Sequence, residues 1–323
     1  MSYTIGVDLG GTNIAAGLVD TEGHIVRKGS VPTRPERGGD AIMEDMAALC
    51  RRLCNEAGVA LADVASVGVA SPGTILYDEG AVERSDNLGF YRFPIVAKLR
   101  ALLPGMTVYL ENDANAAAWA EAVAGAAKGT RHSVMITLGT GLGGGVILDG
   151  RIYTGHNGAA AELGHVLLKR GGRLCPCGRR GCFEAYCSAT GLIRSTEAML
   201  EECRRLHYGT LMTEEVERYG RVNARVAFNA MKRGDAFAKR VVDTYREDLA
   251  DGIIDLINIF QPEVLSVGGG ICNEREHLLT PEILQKIDRE QFTRDAEKKT
   301  VIRIAELGND AGIIGAAMLG KTL

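Results

Sequence analysis

Apolar and polar positions along this chain switch between two periods. Ile5-Gly6-Val7-Asp8-Leu9 is a short apolar run that predicts a strand ending at Gly10-Gly11-Thr12. Gly17-Leu18-Val19 predicts a second strand, Thr21-Glu22-Gly23 a turn, and His24-Ile25-Val26 a third strand. From Asp40 to Gly58 the period becomes helical: Ile42, Met46, Leu49, Leu53 and Ala57 share one stripe, and Gly58 is the stop signal. Val64 to Ala70 reads as a buried strand running into Ser71-Pro72-Gly73. Val108-Tyr109-Leu110 reads as another, running into Glu111-Asn112-Asp113, and a small-residue helix from Ala114 to Ala127 follows.

The opening layout recurs roughly 130 residues later. Val134 to Leu138 is a strand ending at Gly139-Thr140-Gly141, Gly145 to Leu148 is a second, Asp149-Gly150 is a turn, and Ile152-Tyr153 begins a third. An internal duplication with a boundary near residue 112 accounts for this, and so do two independent glycine-rich hairpins. Helices are expected over 189–207, 224–233 and 236–260. A strand, Val264 to Val267, then meets Gly268-Gly269-Gly270. Val301 to Ala305 is the last strand, and the apolar helix Ala311 to Leu319 is expected to pack back on the first domain. The expectation is therefore an α/β chain of two domains, residues 1–112 completed by 308–323, and residues 113–307.

Composition adds exclusions. With 323 residues the chain can bury a core without staples. Formal net charge is −4, which disfavours a nucleic-acid partner, because phosphate contact needs clustered basic charge. The longest uncharged stretch, His132 to Leu148, is broken by five glycines and is no membrane span. Met1-Ser2-Tyr3-Thr4 lacks a basic and apolar leader, so a cytoplasmic protein is expected. Glycine is the unusual figure, 41 residues of 323 against an ordinary share of about 7%, and it points to tight turns and backbone passing close to ligands.

Three of those glycines clusters follow strands: Gly10-Gly11-Thr12, Gly139-Thr140-Gly141 and Gly268-Gly269-Gly270. One such turn is usually only a hairpin. Three at strand ends favour clamping of phosphates by backbone N–H groups, with Thr12 and Thr140 as added donors and Asp8 placed to hold Mg²⁺. No Gly-Lys-Ser/Thr follows, and strand rather than helix follows Gly11, so neither a Walker loop nor a Rossmann fingerprint is present.

Asn112-Asp113 stands where a strand gives way to a helix. Either residue suits a helix N-cap. An Asp at the carboxyl end of an α/β strand also faces the usual ligand position, where it could take a proton from a sugar hydroxyl. Cys175, Cys177 and Cys182 form a C-x-C-x₄-C loop, which in a reducing compartment reads as metal binding. Zinc needs a fourth ligand, for which His165 and Cys187 are the candidates, and a closed four-ligand site would be structural. Glu162 and Glu184 flank that loop and, with His165, could bind sugar hydroxyls. Cys50, Cys54, Cys272 and Trp119 read as packing residues.

Asp8-Leu9-Gly10-Gly11-Thr12, Leu138 to Gly145, Glu162-Leu163-Gly164-His165 and the Cys175–Glu184 stretch resemble the ROK family of repressors, open reading frames and sugar kinases. The resemblance spans nearly the whole chain, and its most specific part, Leu138 to Gly191, is most like the bacterial glucokinases of that family. It implies the duplicated actin-like ATPase (ribonuclease H-like) fold with a cleft between two domains. It implies ATP on Gly10, Gly11, Thr12, Asn13, Thr140, Gly141, Gly269 and Gly270, and structural zinc on His165, Cys175, Cys177 and Cys182 in the loop 165–182. It implies a hexose on Gly73, Asn87, Asn112, Asp113, Glu162, His165 and Glu184, with Asp113 as general base on the 6-hydroxyl. A homodimer, with no nucleic acid and no membrane as partner, is the family expectation.

Two departures stand out: Asn13 occupies the place where many relatives carry lysine after Gly-Gly-Thr, and Ser71 precedes Pro72-Gly73. The implied activity is an ATP-dependent hexose kinase acting in glycolysis with glucose as substrate. The alternatives are a kinase for N-acetylmannosamine or another hexose, a sugar-sensing repressor, and a zinc-ribbon interaction module. A repressor of the family carries a DNA-binding extension before the first glycine turn; that turn begins here at residue 10, so a repressor is not expected. A zinc ribbon would leave three glycine turns without a use.

Overall fold

The structure, a computed structural model, describes residues 2–321. The chain forms two compact units. The first comprises residues up to Met135, Gly144–Ala161 and the segment from Ala305 onward; the second comprises Ile136–Gly143 and Glu162–Ile304. The expected boundary near residue 112 is thus displaced, and the division 1–112 and 113–307 gives way to one that the chain crosses several times. The cause is packing: the helix after residue 112 docks within the first unit.

The first unit is built on a five-stranded sheet. Strands β1 (Tyr3–Leu9), β2 (Asn13–Val19) and β3 (Ile25–Pro32) form an antiparallel meander. Helix α1 (Gly39–Ala57) follows and stops at Gly58, which takes the left-handed conformation at φ 68°. β4 (Val64–Ser71) lies parallel to β1. A small sheet of β5 (Ile75–Leu76), β6 (Ala81–Ser85) and β7 (Phe90–Phe93) comes next, with helix α2 (Ile95–Leu102) after it; the sequence pattern had not marked these short elements. β8 (Thr107–Asn112) runs parallel to β4, giving the order β3-β2-β1-β4-β8, and helix α3 (Asp113–Ala124) starts where β8 ends.

Period-two alternation sorts the sheet's two faces. Ile5, Val7 and Leu9 of β1 and Val67 and Val69 of β4 enter the core formed with α1 and α2. The opposite face carries glycine at three paired positions, Gly6, Gly17 and Gly68. The C-terminal helix Ala311–Ala317 lies directly on that face. A Cβ at Gly6 would stand 1.8 Å from the carbonyl oxygen of Ile313, and one at Gly68 would stand 1.8 Å from that of Ala316. The same helix meets α3 through Gly315, whose Cβ would stand 1.8 Å from the Ala116 oxygen. Trp119 Nε1 donates to the Met318 carbonyl at 2.8 Å, and buried Glu121 accepts from the backbone amides of Ala126, Glu306 and Leu307 at 2.7, 3.1 and 2.9 Å. These contacts keep α3 and the C-terminal segment in one unit.

Strands β9 (Ser133–Leu138), β10 (Leu142–Leu148) and β11 (Arg151–Ile152) repeat the opening meander. The second unit then supplies α4 (Glu184–Cys187), α5 (Ala189–Arg205), α6 (Leu211–Tyr219), α7 (Arg225–Lys232) and α8 (Ala236–Phe260). β12 (Val264–Gly268), α9 (Arg275–Leu278), α10 (Pro281–Glu290) and β13 (Val301–Ile304) complete it. The second sheet has the order β11-β10-β9-β12-β13, the same third-second-first-fourth-fifth arrangement as the first. Shared connectivity decides for duplication over two independent hairpins. Among the described residues no helix is long and apolar enough to cross a membrane.

Gly68→Ala is expected to displace the C-terminal helix, since backbone rather than a flexible side chain stands in the way, and to cost more than about 3 kcal/mol. Gly209→Ala, where nothing lies within 4 Å, is the control and should shift stability by less than about 1 kcal/mol. Urea unfolding midpoints measure both.

Candidate active site

In the first unit the turn Gly10–Asn13 closes the β1–β2 hairpin, with Gly10 N donating to the Asn13 carbonyl at 3.0 Å. Buried Thr33, at the end of β3, holds this turn from behind. Its Oγ1 donates to the Gly10 carbonyl at 2.6 Å and its N donates to the Thr12 carbonyl at 2.9 Å. Gly11 and Thr12 stay exposed, and Asn87 stands beside Gly11, its Cβ 3.4 Å from where a Gly11 Cβ would be. No sequence motif marks Thr33.

Asp8 lies one residue from the carboxyl end of β1, with its carboxylate against Gly312 of the C-terminal helix; a Cβ there would meet Asp8 Oδ2 at 2.7 Å. Burial, and then the like charge of Asp113, raise its pKa to about 6. Asp113 begins α3. It is open to solvent, yet surrounding protein raises its proton affinity above the ordinary carboxylate range, against the opposing hydrogen bond from Ala114 N at 2.9 Å. Asn112 is the true N-cap: its Oδ1 accepts from Ala114 N at 2.9 Å and Asn115 N at 3.2 Å, while its Nδ2 donates to the Gly73 carbonyl at 3.2 Å. The same carboxamide also hydrogen-bonds the Asp113 carboxylate, which opposes the rise in its proton affinity. Gly73 sits at φ 106°, where a Cβ would fall 2.2 Å from the Arg84 carbonyl, so only glycine fits.

Beneath Asn112 lies a buried carboxylate, Glu111. It accepts from the Tyr77 hydroxyl, from Asn112 N at 2.8 Å and from Asn115 Nδ2 at 3.1 Å. Burial raises its pKa despite these donors. Tyr77 is a further residue that the sequence did not mark.

In the second unit Gly139-Thr140-Gly141 is again a strand-end turn, with Gly139 N donating to Gly141 O at 3.0 Å. It too is held by its carbonyls: Ala189 N donates to Gly139 O and Thr190 Oγ1 to Thr140 O, each at 2.8 Å. Glu184 accepts from Leu142 N at 2.9 Å through Oε2, and its Oε1 accepts from Cys175 Sγ at 3.5 Å. One carboxylate thus touches both the turn and the cysteine loop. At the third cluster, Gly269 (φ 91°) passes so close to Leu138 that a Cβ would stand 2.6 Å from its backbone, whereas Gly270 faces open space. Cys272, which read as core, is half-buried there, its thiol donating to Gly268 O and Val267 O.

His165, Cys175, Cys177 and Cys182 converge, with all four donor atoms within 4.8 Å of one another. Cys177 Sγ and Cys182 Sγ are 3.7 Å apart, and Cys175 Sγ and His165 Nδ1 are 3.6 Å apart. Tetrahedral bonds of about 2.3 Å to sulfur require edges of about 3.8 Å, so the residues present fit a Cys₃His metal. Cys187 is not among them: it is buried, and its carbonyl accepts from the Tyr245 hydroxyl. With Nδ1 facing the thiols, His165 Nε2 is left 4.0 Å from Glu162 Oε2. Ala161, just before Glu162, has φ 64°, a left-handed conformation that costs a non-glycine residue about 1–2 kcal/mol. Each unit accordingly gathers its own predicted residues: Asp8, Gly10, Gly11, Thr12, Asn13, Gly73, Asn87, Asn112 and Asp113 in the first, and Thr140, Gly141, Glu162, His165, Glu184, Gly269, Gly270 and the cysteines in the second.

A folded-state pKa above the unfolded one means that the folded protein binds the proton more tightly. Stability from Asp8 is then greatest below pH 4 and is lost as pH rises from about 4 to about 6. Asp8→Asn is expected to be more stable than wild type at pH 8, without added magnesium, by about 2–3 kcal/mol, with the difference vanishing near pH 4. Urea titrations at the two pH values check this.

The model of the ROK family matches residues 4–322. A glucokinase of Halalkalibacterium halodurans is 38% identical over 322 residues, covering 99% of this chain and 95% of that protein. Among solved structures, a ROK hexokinase from Thermus thermophilus superposes with a TM-score of 0.79 at 34% identity, covering 98% of this chain and 97% of that one. A ROK family glucokinase from Streptomyces griseus, in complex with glucose and AMPPNP, superposes with a TM-score of 0.77 at 32% identity, covering 98% and 99%. The repeated sheet is that of the actin-like ATPase fold. The chain belongs to the ROK family.

Proposed function

We propose that this chain is an ATP-dependent hexose kinase that transfers the γ-phosphoryl group of ATP to the 6-hydroxyl of glucose. The observation that carries the reading is Asp113: a solvent-open carboxylate of raised proton affinity, fixed at the start of α3 beside Asp8. The similarity to glucokinases over nearly the full chain supports the substrate.

In this reading Asp113 accepts the proton of the 6-hydroxyl as the oxygen bonds to phosphorus and ADP departs. Phosphoryl transfer depends chiefly on positioning and charge stabilisation, so Asp113 orients the hydroxyl as well as deprotonating it. The first unit would supply Asn112, Asn87 and the Gly73 turn to the sugar, and Gly10, Gly11, Thr12 and Asn13 to the nucleotide. The second would supply Glu162, His165 and Glu184 to the sugar hydroxyls, and Thr140, Gly141, Gly269 and Gly270 to the nucleotide. Asp8 is the carboxylate for Mg²⁺, which when bound neutralises phosphate charge. His165, Cys175, Cys177 and Cys182 hold a structural Zn²⁺, and the donor spacing supports this.

The test is an ADP-release assay with Mg-ATP across glucose, mannose, fructose, N-acetylglucosamine and N-acetylmannosamine. Turnover is expected on glucose, and Asp113→Asn should lower kcat by about 10²–10⁴-fold while the protein stays folded. Preference for an N-acetyl sugar would replace the substrate and keep the mechanism. No turnover on any sugar by the folded, metal-loaded protein would overturn the reading.

A further inference from the structure

The two phosphate turns are held in the same way by different anchors. Each has two carbonyls tied down from outside, one by a threonine hydroxyl and one by a backbone N–H. In the first turn both bonds come from Thr33, at the end of a sheet strand. In the second they come from Thr190 and Ala189, at the start of α5. That helix begins seven residues after Cys182, and Glu184, at the start of the intervening α4, adds a third tie, to Leu142 N. On the other side of the cysteine loop, Gly164 presses on the same residue: a Cβ there would stand 2.2 Å from the Leu142 carbonyl. Both flanks of the loop 165–182 therefore bear on one turn.

Little secondary structure supports the loop. It holds the isolated bridges Leu167–Cys182 and Leu174–Arg180 and turn bonds such as Cys175 N to Arg179 O, at 2.9 Å, and Gly181 N to Arg173 O, at 2.8 Å, and Gly171, Gly178 and Gly181 take left-handed conformations. Around it, Phe183 packs on Gly252 of α8, and Lys169 pairs with Asp248 at 2.6 Å. These contacts anchor the outer edge. The four-donor cluster joins His165 to Cys182 beside the backbone bonds Phe183 N to Val166 O, at 2.9 Å, and Leu168 N to Gly181 O, at 2.8 Å, and it is the side-chain link between the two flanks that reach Leu142.

We propose that the metal loop is a positioning device for the second phosphate turn, with Thr190 as the positioning residue, so that metal occupancy sets the affinity for a nucleotide's phosphate chain even when no sugar is bound. The proposal rests on the reading of Gly139-Thr140-Gly141 as phosphate-binding. Loss of the metal removes the side-chain link between the flanks, loosens the Thr190 and Leu142 ties, and lets the turn sample conformations in which its amides no longer converge.

The experiment measures Mg-ADP binding by calorimetry without sugar, and amide hydrogen exchange of the peptide spanning 139–142. The proteins are zinc-loaded wild type, metal-stripped wild type, Thr190→Val, Thr190→Ser and Thr140→Ala. One hydrogen bond of ordinary strength corresponds to a change of about 3–10-fold in affinity. Thr190→Val and metal removal are each expected to weaken Mg-ADP by that factor or more and to speed exchange at 139–142. Thr190→Ser should restore both, and glucose affinity and zinc content should stay at wild-type values in Thr190→Val. Should stripping unfold the chain, Thr190→Val decides alone, because it keeps all four metal ligands. Weaker binding by Thr140→Ala together with unchanged binding and exchange in Thr190→Val would overturn the proposal while sparing the phosphate reading. So would stripped, folded protein that binds Mg-ADP as tightly as loaded protein. Unchanged binding in Thr140→Ala as well would remove the phosphate reading and the proposal with it.

Discussion

Contact between the C-terminal helix and a glycine-lined sheet face is the constraint on which the first unit depends. Side chains normally keep the backbones of packed layers well apart, about 10 Å where sheet meets sheet. Here Gly6, Gly17 and Gly68 remove them, and helix backbone meets sheet backbone. The helix in turn carries Gly315 against α3 and Gly312 against Asp8. Three features of the proposed chemistry follow from that one approach: the seat of Asp8, the direction in which α3 leaves β8, and so the position of Asp113. It also explains why the last residues of the chain belong with the first.

The same close approach raises the electrostatic cost of the site. Two carboxylates stand near each other in partly desolvated surroundings, and both gain proton affinity. Such an arrangement destabilises the cation-free protein, a common trade at sites built to receive a cation and a substrate. Glu111 deepens this, since a third carboxylate lies buried beneath Asn112. It remains tolerable because Tyr77, Asn112 and Asn115 all donate to it. The donors also tie the β5 hairpin to the start of α3, so the residues assigned to the sugar rest on a hydrogen-bonded support.

In the second unit a carboxylate again joins two functions. Glu184 reaches the turn with one oxygen and the cysteine loop with the other. His165 divides its ring in the same manner, Nδ1 toward the thiols and Nε2 toward Glu162. Ligand orientation by neighbouring polar groups is the ordinary way a structural metal influences chemistry that it does not perform. Duplication of the fold provided two equivalent turns, and the two units then diverged in what anchors them: the end of a strand in one, the start of a helix in the other.

Periodicity made the long elements legible. The α1 stripe with its Gly58 stop, the strands carrying the glycine turns and the helix 236–260 all follow from local pattern, because each needs only its own burial face and its own cap. The cysteine spacing pointed to residues that the fold gathers into one four-donor cluster, and the strand-end positions pointed to Asp8 and Asp113, which stand near each other. Other features depended on residues distant in sequence. Choosing His165 over Cys187 as fourth ligand, in the absence of any family resemblance, needed the burial of Cys187 under Tyr245. The boundary near residue 112 failed because α3 answers to a helix two hundred residues away, and sequence spacing carries no record of that packing. Thr33, Tyr77 and Thr190 are ordinary residues in ordinary segments; only the hydrogen bonds they make across the fold give them a role. By itself the sequence determined which residues could form turns, caps and donors, since those properties are local. Tertiary structure alone decided which of them meet, because meeting is a matter of backbone distance, and here the glycines set that distance.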